Sequence, residues 1–165
     1  MDTNLPEVLI GNLLRARGWR LAVAESCTGG LIGHRITNIP GSSTYYMGSI
    51  TAYAYEAKVR LLGVQWETLE KDGAVSEPVV IEMARGARRA LAADVGLSVS
   101  GIAGPGGGTP EKPVGLTCIG LSAPDHDHAW TFIWEGDRAQ NKAQTAEKAL
   151  QLLVDFLRNL DDGKN

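Results

Sequence analysis

Cysteine is nearly missing from this 165-residue sequence, which holds only Cys27 and Cys118. Two is too few for a disulfide framework and their spacing is not that of metal ligands, so both are expected to be free thiols in a reducing, cytoplasmic compartment. Basic excess is missing too. Sixteen Lys and Arg against nineteen Asp and Glu leave a formal net charge of −3, without the positive surplus that neutralising a phosphate backbone requires, so nucleic acid is not an expected partner. No run approaches ~18 consecutive apolar residues, and the start, MDTNLPEVLI, lacks the basic segment and long apolar stretch of a signal peptide. A membrane is therefore not an expected partner either. Histidine, the usual general base, occurs only as His34, His126 and His128. Glycine reverses the trend: there are 20, well above the ~7% average, in clusters that suggest loops built from backbone.

The length suits one domain, expected over residues 1–165 with a core at about 5–160 and a polar tail at 161–165. Helical periodicity predicts helices over 5–17, 30–39, 56–64, 75–94 and 137–160, the fourth with Ser76 as N-cap and the last opened by Asp137 and Gln140 at capping-box spacing. Strands are predicted at 20–25, 48–55, 95–104, 116–123 and 128–136, the last two forming a hairpin around PDHD. Alternating strands and helices followed by a late hairpin predict an α/β fold, with a mixed, mostly parallel sheet covered on both faces. Ligands in such folds bind at the carboxyl ends of the strands, where ESCTGG, AYEAK and GIAGPGGGTPEKPVG are expected to gather.

Three of these segments can carry chemistry. Ser26, just past a strand and at the start of a helix, has unpaired N–H groups nearby that would stabilise an oxyanion; taken alone, Ser26 or Thr28 reads as a helix cap. Cys27 reads as a small buried hydrophobe. A serine needs a base. His34 sits mid-helix, and His126 and His128 with Asp125 and Asp127 read as a hydrophilic hairpin tip, which leaves Lys58 on the turn after the second strand. Desolvation would lower its pKa toward neutrality. Tyr53 is placed to relay or position the proton, and Tyr55 would face the same side if the strand reaches it. The loop after the third strand can turn its N–H groups into a phosphate nest, with Thr109 or Lys112 adding contacts and Arg138 a bidentate cation. No G-K-[ST] follows, so it is not a Walker loop. A surface loop and a surface arginine are the alternatives.

Taken together and in order, AESCTGG, the Tyr-x4-Lys pair of AYAYEAK, GAVSEPVV, SGIAGPGGGTPEKPVG and GDR resemble the CinA C-terminal domain family, the nicotinamide-nucleotide amidohydrolases, over roughly residues 5–160. The resemblance implies a three-layer α/β/α fold in stand-alone form. It also implies hydrolysis of the carboxamide of nicotinamide mononucleotide to nicotinate mononucleotide and ammonia, without metal or other cofactor. By motif, Ser26 resembles the nucleophile, Lys58 and Tyr53 the residues that activate it, and the turn of Cys27, Thr28 and Gly29 the oxyanion site. Gly101, Ala103, Gly104, Gly106, Gly107 and Arg138 resemble the parts that hold the mononucleotide. The sequence departs from the family pattern at Tyr55, where Asn is common, and at Leu116 in GLT. A non-catalytic nucleotide-binding or interaction module linked to competence or damage responses, and an amidase for another small carboxamide, stay open. The apolar late strands suggest a homo-oligomer.

Overall fold

In the computed structural model, which describes residues 3–163, the elements follow in the order α1 (Pro6–Arg17), β1 (Leu21–Glu25), α2 (Leu31–Thr37), β2 (Tyr46–Thr51), α3 (Tyr55–Leu62), α4 (Trp66–Asp72), α5 (Glu77–Ala90), β3 (Val95–Gly101), β4 (Leu116–Ala123), β5 (His126–Ile133) and α6 (Arg138–Asp162). The strands form one mixed sheet in the order β2-β1-β3-β4-β5. β1 runs parallel to β2 and β3, whereas the β3–β4 and β4–β5 pairs are antiparallel. The expectation of a mostly parallel sheet is thus corrected to an even division. No helix joins β3 to β4, so the chain returns beside β3 in the opposite direction, as a connection without a helical crossover favours.

β1 is wholly buried and alternates between the two faces. Leu21 and Val23 enter a core cluster with residues of α1, α2 and α6, including Ile10, Ile32, Leu150 and Leu153. Ala22 and Ala24 face the opposite way and pack with Leu62 of α3, Leu69 of α4 and Val80 and Met83 of α5. Two apolar clusters on opposite faces of one sheet make a three-layer α/β/α arrangement. Among the described residues no helix is long and apolar enough to cross a membrane.

Several boundaries differ from those the periodicity predicts. The apolar alternation of SITAYAY predicts a strand to residue 55, but the ladder ends when Ala52 N–H donates to the Glu25 carbonyl, at 2.9 Å. The chain then turns into α3, so Lys58 lies on a helix rather than a turn and Tyr55 opens that helix instead of sharing a strand face with Tyr53. α4 was not anticipated, because WETLEKD buries only Leu69 and has no visible stripe. The hairpin turn is confined to Pro124 and Asp125, with Asp125 at φ 57°, so His126 and His128 belong to β5. Asp137 and Gln140 do form the reciprocal capping pair, each N–H donating to the other side chain at 2.8 Å. α6 runs to Asp162, into the expected polar tail, of which residues 164 and 165 lie outside the described residues.

α3 is held by a close backbone approach as well as by its buried side chains. At Gly86 of α5, an added Cβ would stand 1.9 Å from the Leu62 carbonyl oxygen at the end of α3. No flexible group can yield there, so Gly86→Ala must push α3 outward, and α3 carries Lys58. The expected cost is about 1–3 kcal/mol, seen as a lower thermal midpoint; an unchanged midpoint would show that α3 does not depend on this contact.

Candidate functional site

β1, β2 and β3 are adjacent and parallel, so the segments leaving their carboxyl ends meet at one rim. Ser26 follows β1 and is fixed by its N–H, which donates to the Val99 carbonyl of β3 at 3.1 Å. Strand alternation turns Ser26 toward the layer of Ala22 and Ala24, where α3 lies, and Glu25 toward the layer of α2. Lys58 comes from the middle of α3 and is only 1% exposed. Its Nζ lies 2.9 Å from Ser26 Oγ and donates to the carbonyls of Ala52 at 2.8 Å and Tyr53 at 3.0 Å. Among the described residues no carboxylate pairs with it. Burial disfavours the charged amine and pulls its pKa down to about 8.

This arrangement has a directional consequence. A neutral amine keeps two N–H bonds and one lone pair. Two carbonyls already accept the two N–H bonds, so the lone pair is left facing the Ser26 hydroxyl, which is how a lysine takes a serine proton.

Tyr53 meets this centre in two separate ways. Its main-chain carbonyl holds Lys58, while its phenol, on a residue 62% exposed, accepts a hydrogen bond from Arg138 Nη2 at 3.1 Å. The ring therefore groups with Arg138, and the lysine contact is made by backbone. Arg138, in the first turn of α6, also donates from Nη1 to the Gly104 carbonyl at 2.7 Å. Beside it, buried Asn141 donates to the carbonyls of Ala103 and Gly136, both at 3.1 Å. Its Oδ1 is buried without a hydrogen-bond partner. α6 thus grips the glycine-rich loop at Ala103 and Gly104. In that loop the N–H groups of Ala103, Gly104, Gly106 and Gly107 donate to no protein acceptor among the described residues. They are free for an anion. Gly101 has a packing reason to be glycine: a Cβ there would stand 2.6 Å from Thr117 Oγ1 and 3.1 Å from Cys27 Sγ.

Other expected contacts take different partners. Lys112 donates its ammonium to the carbonyls of Asp72 and Val75 and so pins the far end of the loop to the α4–α5 connection. Thr109 Oγ1 accepts the Lys112 N–H at 3.0 Å. Tyr55 accepts the Ala74 N–H and packs its ring 6.4 Å from that of Trp66. Leu116 is 8% exposed at the start of β4. Asp127 pairs with Arg85 at 2.6 Å, and the described residues contain no cluster of three or more His, Cys, Asp or Glu suited to a metal.

In the turn after Ser26, Gly29 N–H donates to the Ser26 carbonyl at 3.2 Å. Among the described residues the N–H groups of Cys27 and Thr28 donate to no other residue, so these two, and not that of Gly29, are the N–H groups the turn leaves available to an oxyanion. Glu25, to which the sequence pattern gave no role, is fully buried and accepts from Thr28 Oγ1 at 2.6 Å and Ser49 Oγ at 2.8 Å. It also accepts from the N–H groups of Gly30, Ile32 and Gly33. Asn141 was missed as well; its position one turn after Arg138 was the available signal.

Comparison with known proteins decides the lineage: the model of the CinA C-terminal domain matches residues 4–157. The chain belongs to the CinA C-terminal domain family. It is 49% identical over 165 residues to a CinA-like protein of Chlorobaculum tepidum, covering 97% of this chain and 39% of that protein. It is 51% identical over 158 residues to a putative competence-damage inducible protein of Halothermothrix orenii, covering 95% and 38% respectively. This CinA-family chain therefore spans about two fifths of the length of these relatives. Among solved structures, a CinA superfamily protein of Klebsiella pneumoniae superposes with a TM-score of 0.90 at 31% identity, covering 96% of this chain and 99% of that one. The competence/damage inducible protein CihA of Agrobacterium tumefaciens gives 0.87 at 36% identity, covering 93% and 95%.

The hydroxyl and thiol neighbours of this CinA-family turn are equally buried and are sorted by what each meets, Ser26 the Lys58 amine and Cys27 the apolar core. Cys27 packs into the core behind the turn, and burial pushes its thiol pKa up to about 12, so at neutral pH it holds almost no thiolate. Iodoacetamide at pH 8 should leave Cys27 unmodified in the folded protein and alkylate it after denaturation, as read by peptide mass spectrometry. Rapid modification of the native chain would reverse that assignment.

Proposed function

We propose that this CinA-family domain hydrolyses the carboxamide of nicotinamide mononucleotide through an acyl-enzyme on Ser26. The observation that carries the reading is the 2.9 Å approach of Lys58 Nζ to Ser26 Oγ, a contact that a pure binding module does not require. The Ser26 oxygen bonds to the carboxamide carbon as its proton passes to Lys58, and the carbonyl oxygen draws on the N–H groups of Cys27 and Thr28. Lys58 then returns the proton to the departing amide nitrogen, releasing ammonia. Water, deprotonated by the same amine, attacks the ester and frees nicotinate mononucleotide and Ser26. The phosphate is assigned to the free N–H groups of the Ala103–Gly107 segment and to Arg138, whose two observed bonds leave further N–H donors of its guanidinium.

Only neutral Lys58 can accept the proton, and its pKa near 8 leaves about a tenth of it neutral at pH 7. kcat/KM should therefore rise with pH through about 8, and that limb should vanish in Lys58→Ala. Ser26→Ala and Lys58→Ala should each lower kcat by about 10³-fold or more, with the double variant little worse than either, because members of one catalytic unit are not additive. Additive losses, or wild-type kcat in folded Lys58→Ala, would refute the Ser-Lys assignment.

Substrate selection is tested separately by ammonia release from nicotinamide mononucleotide, its riboside, nicotinamide and the dinucleotide. The mononucleotide should be preferred, and Arg138→Ala should raise KM for it while leaving the riboside unaffected. An equal rise for both would remove Arg138 from the phosphate.

A further inference from the structure

Five donors converge on the Glu25 carboxylate, which the acyl-transfer steps above do not use: the hydroxyls of Thr28 and Ser49 and the N–H groups of Gly30, Ile32 and Gly33. Three of the five are the N–H groups that open α2, so that helix end is turned on a protein carboxylate and not on the rim where a substrate binds. The donors left for an oxyanion are the N–H groups of Cys27 and Thr28, in a stretch braced from within by the Gly29 N–H bond to the Ser26 carbonyl and by the packing of Cys27 in the core, and tied at both ends. Upstream, Ser26 N–H is tied to Val99. Downstream, Thr28 is tied to Glu25 by a 2.6 Å charge-assisted bond. A carboxylate is the one side-chain group with acceptors enough and no proton of its own for such a set; glutamine would point an NH2 group at groups that are themselves donors.

We propose that Glu25 is a positioning residue for acyl transfer, which through Thr28 aims the N–H groups of Cys27 and Thr28 at the oxygen of the carbonyl attacked by Ser26. The assignment rests on the reading of Ser26 as the nucleophile. It differs from a merely structural role in what it changes: transition-state stabilisation falls, while ground-state binding and the ionisation of Lys58 are left alone. Glu25 and Lys58 lie on opposite sides of β1, and Lys58 owes its shift to burial.

The test compares Glu25→Gln and Ser49→Ala with wild type by two readouts. The first is the kcat and KM for nicotinamide mononucleotide across pH. The second is the rate at which a fluorophosphonate probe labels Ser26, a step in which the serine oxygen bonds to phosphorus, fluoride leaves and the proton passes to Lys58. In Glu25→Gln, kcat and the labelling rate should both fall by about 100- to 1,000-fold, the loss typical of one oxyanion donor, with KM and the pH midpoint unmoved. Ser49→Ala, which removes one of the five bonds from outside the catalytic turn, should lower both by roughly 2- to 10-fold, about the loss of one modest hydrogen bond. A folded Glu25→Gln within threefold of wild type overturns the proposal, as does a shifted pH midpoint with unchanged labelling. If Glu25→Gln does not fold, Ser49→Ala decides: unchanged kcat and labelling overturn it. Wild-type protein that is labelled at Ser26 but releases no ammonia would refute the substrate assignment while leaving Glu25 testable by labelling alone.

Discussion

The structure turns on one enclosed amine. Lys58 sits almost out of reach of solvent and, among the described residues, without a carboxylate partner, a placement that would be costly for a charged ammonium but that two carbonyls and a hydroxyl make tolerable. What surrounds it follows from the need to keep those three acceptors converging. The Ala52 and Tyr53 carbonyls are available only because β2 stops at Thr51 and the chain turns sharply into α3. α3 in turn holds its distance from the sheet because Gly86 lets the Leu62 backbone come close. The same seclusion that makes the amine expensive to charge pulls its pKa down to about 8, so on the proposed mechanism the stability cost and the basicity have a single origin.

A second constraint is the period of a strand. Glu25 and Ser26 are consecutive, and consecutive residues leaving β1 must diverge to opposite faces. One enters the α2 layer and is saturated with donors; the other enters the α3 layer and meets the amine. The sheet thereby separates a buried negative charge from the lysine, which has no carboxylate partner. A carboxylate on the lysine's side would favour the charged amine and raise its pKa.

Most of this architecture is legible from residue order alone. The helices at both ends, the buried strands β1, β3 and β4, and the capping pair Asp137 and Gln140 all announce themselves through periodicity or spacing. Ser26 and Lys58 emerge as a candidate pair once the histidines are set aside, but a serine before two glycines and a lysine after a tyrosine are each common, so the family resemblance carries the pairing. α4 and the end of β2 were illegible for a physical reason: a seven-residue helix burying one leucine leaves no stripe, and alternation in AYAY persists past the point where the ladder stops. Glu25 is illegible because its role lies in buried polar contacts, which no periodicity encodes, and Asn141 is marked only by its place one turn after Arg138. Lys112 shows the reverse error, since its charge invites a ligand while its position at the foot of a loop makes it a staple.

The parts of this site are spread along almost the whole length of synthesis. Its serine leaves the ribosome with the first strand and its lysine soon after, but the arginine and asparagine that grip the glycine-rich loop belong to α6, which also packs on α1 at the opposite end of the chain. The elements that bring Ser26 and Lys58 together, β1, β2, α3, α5 and β3, all precede α6 in the chain. On the proposed function, recognition therefore waits on the docking of α6, whereas the serine–lysine contact does not.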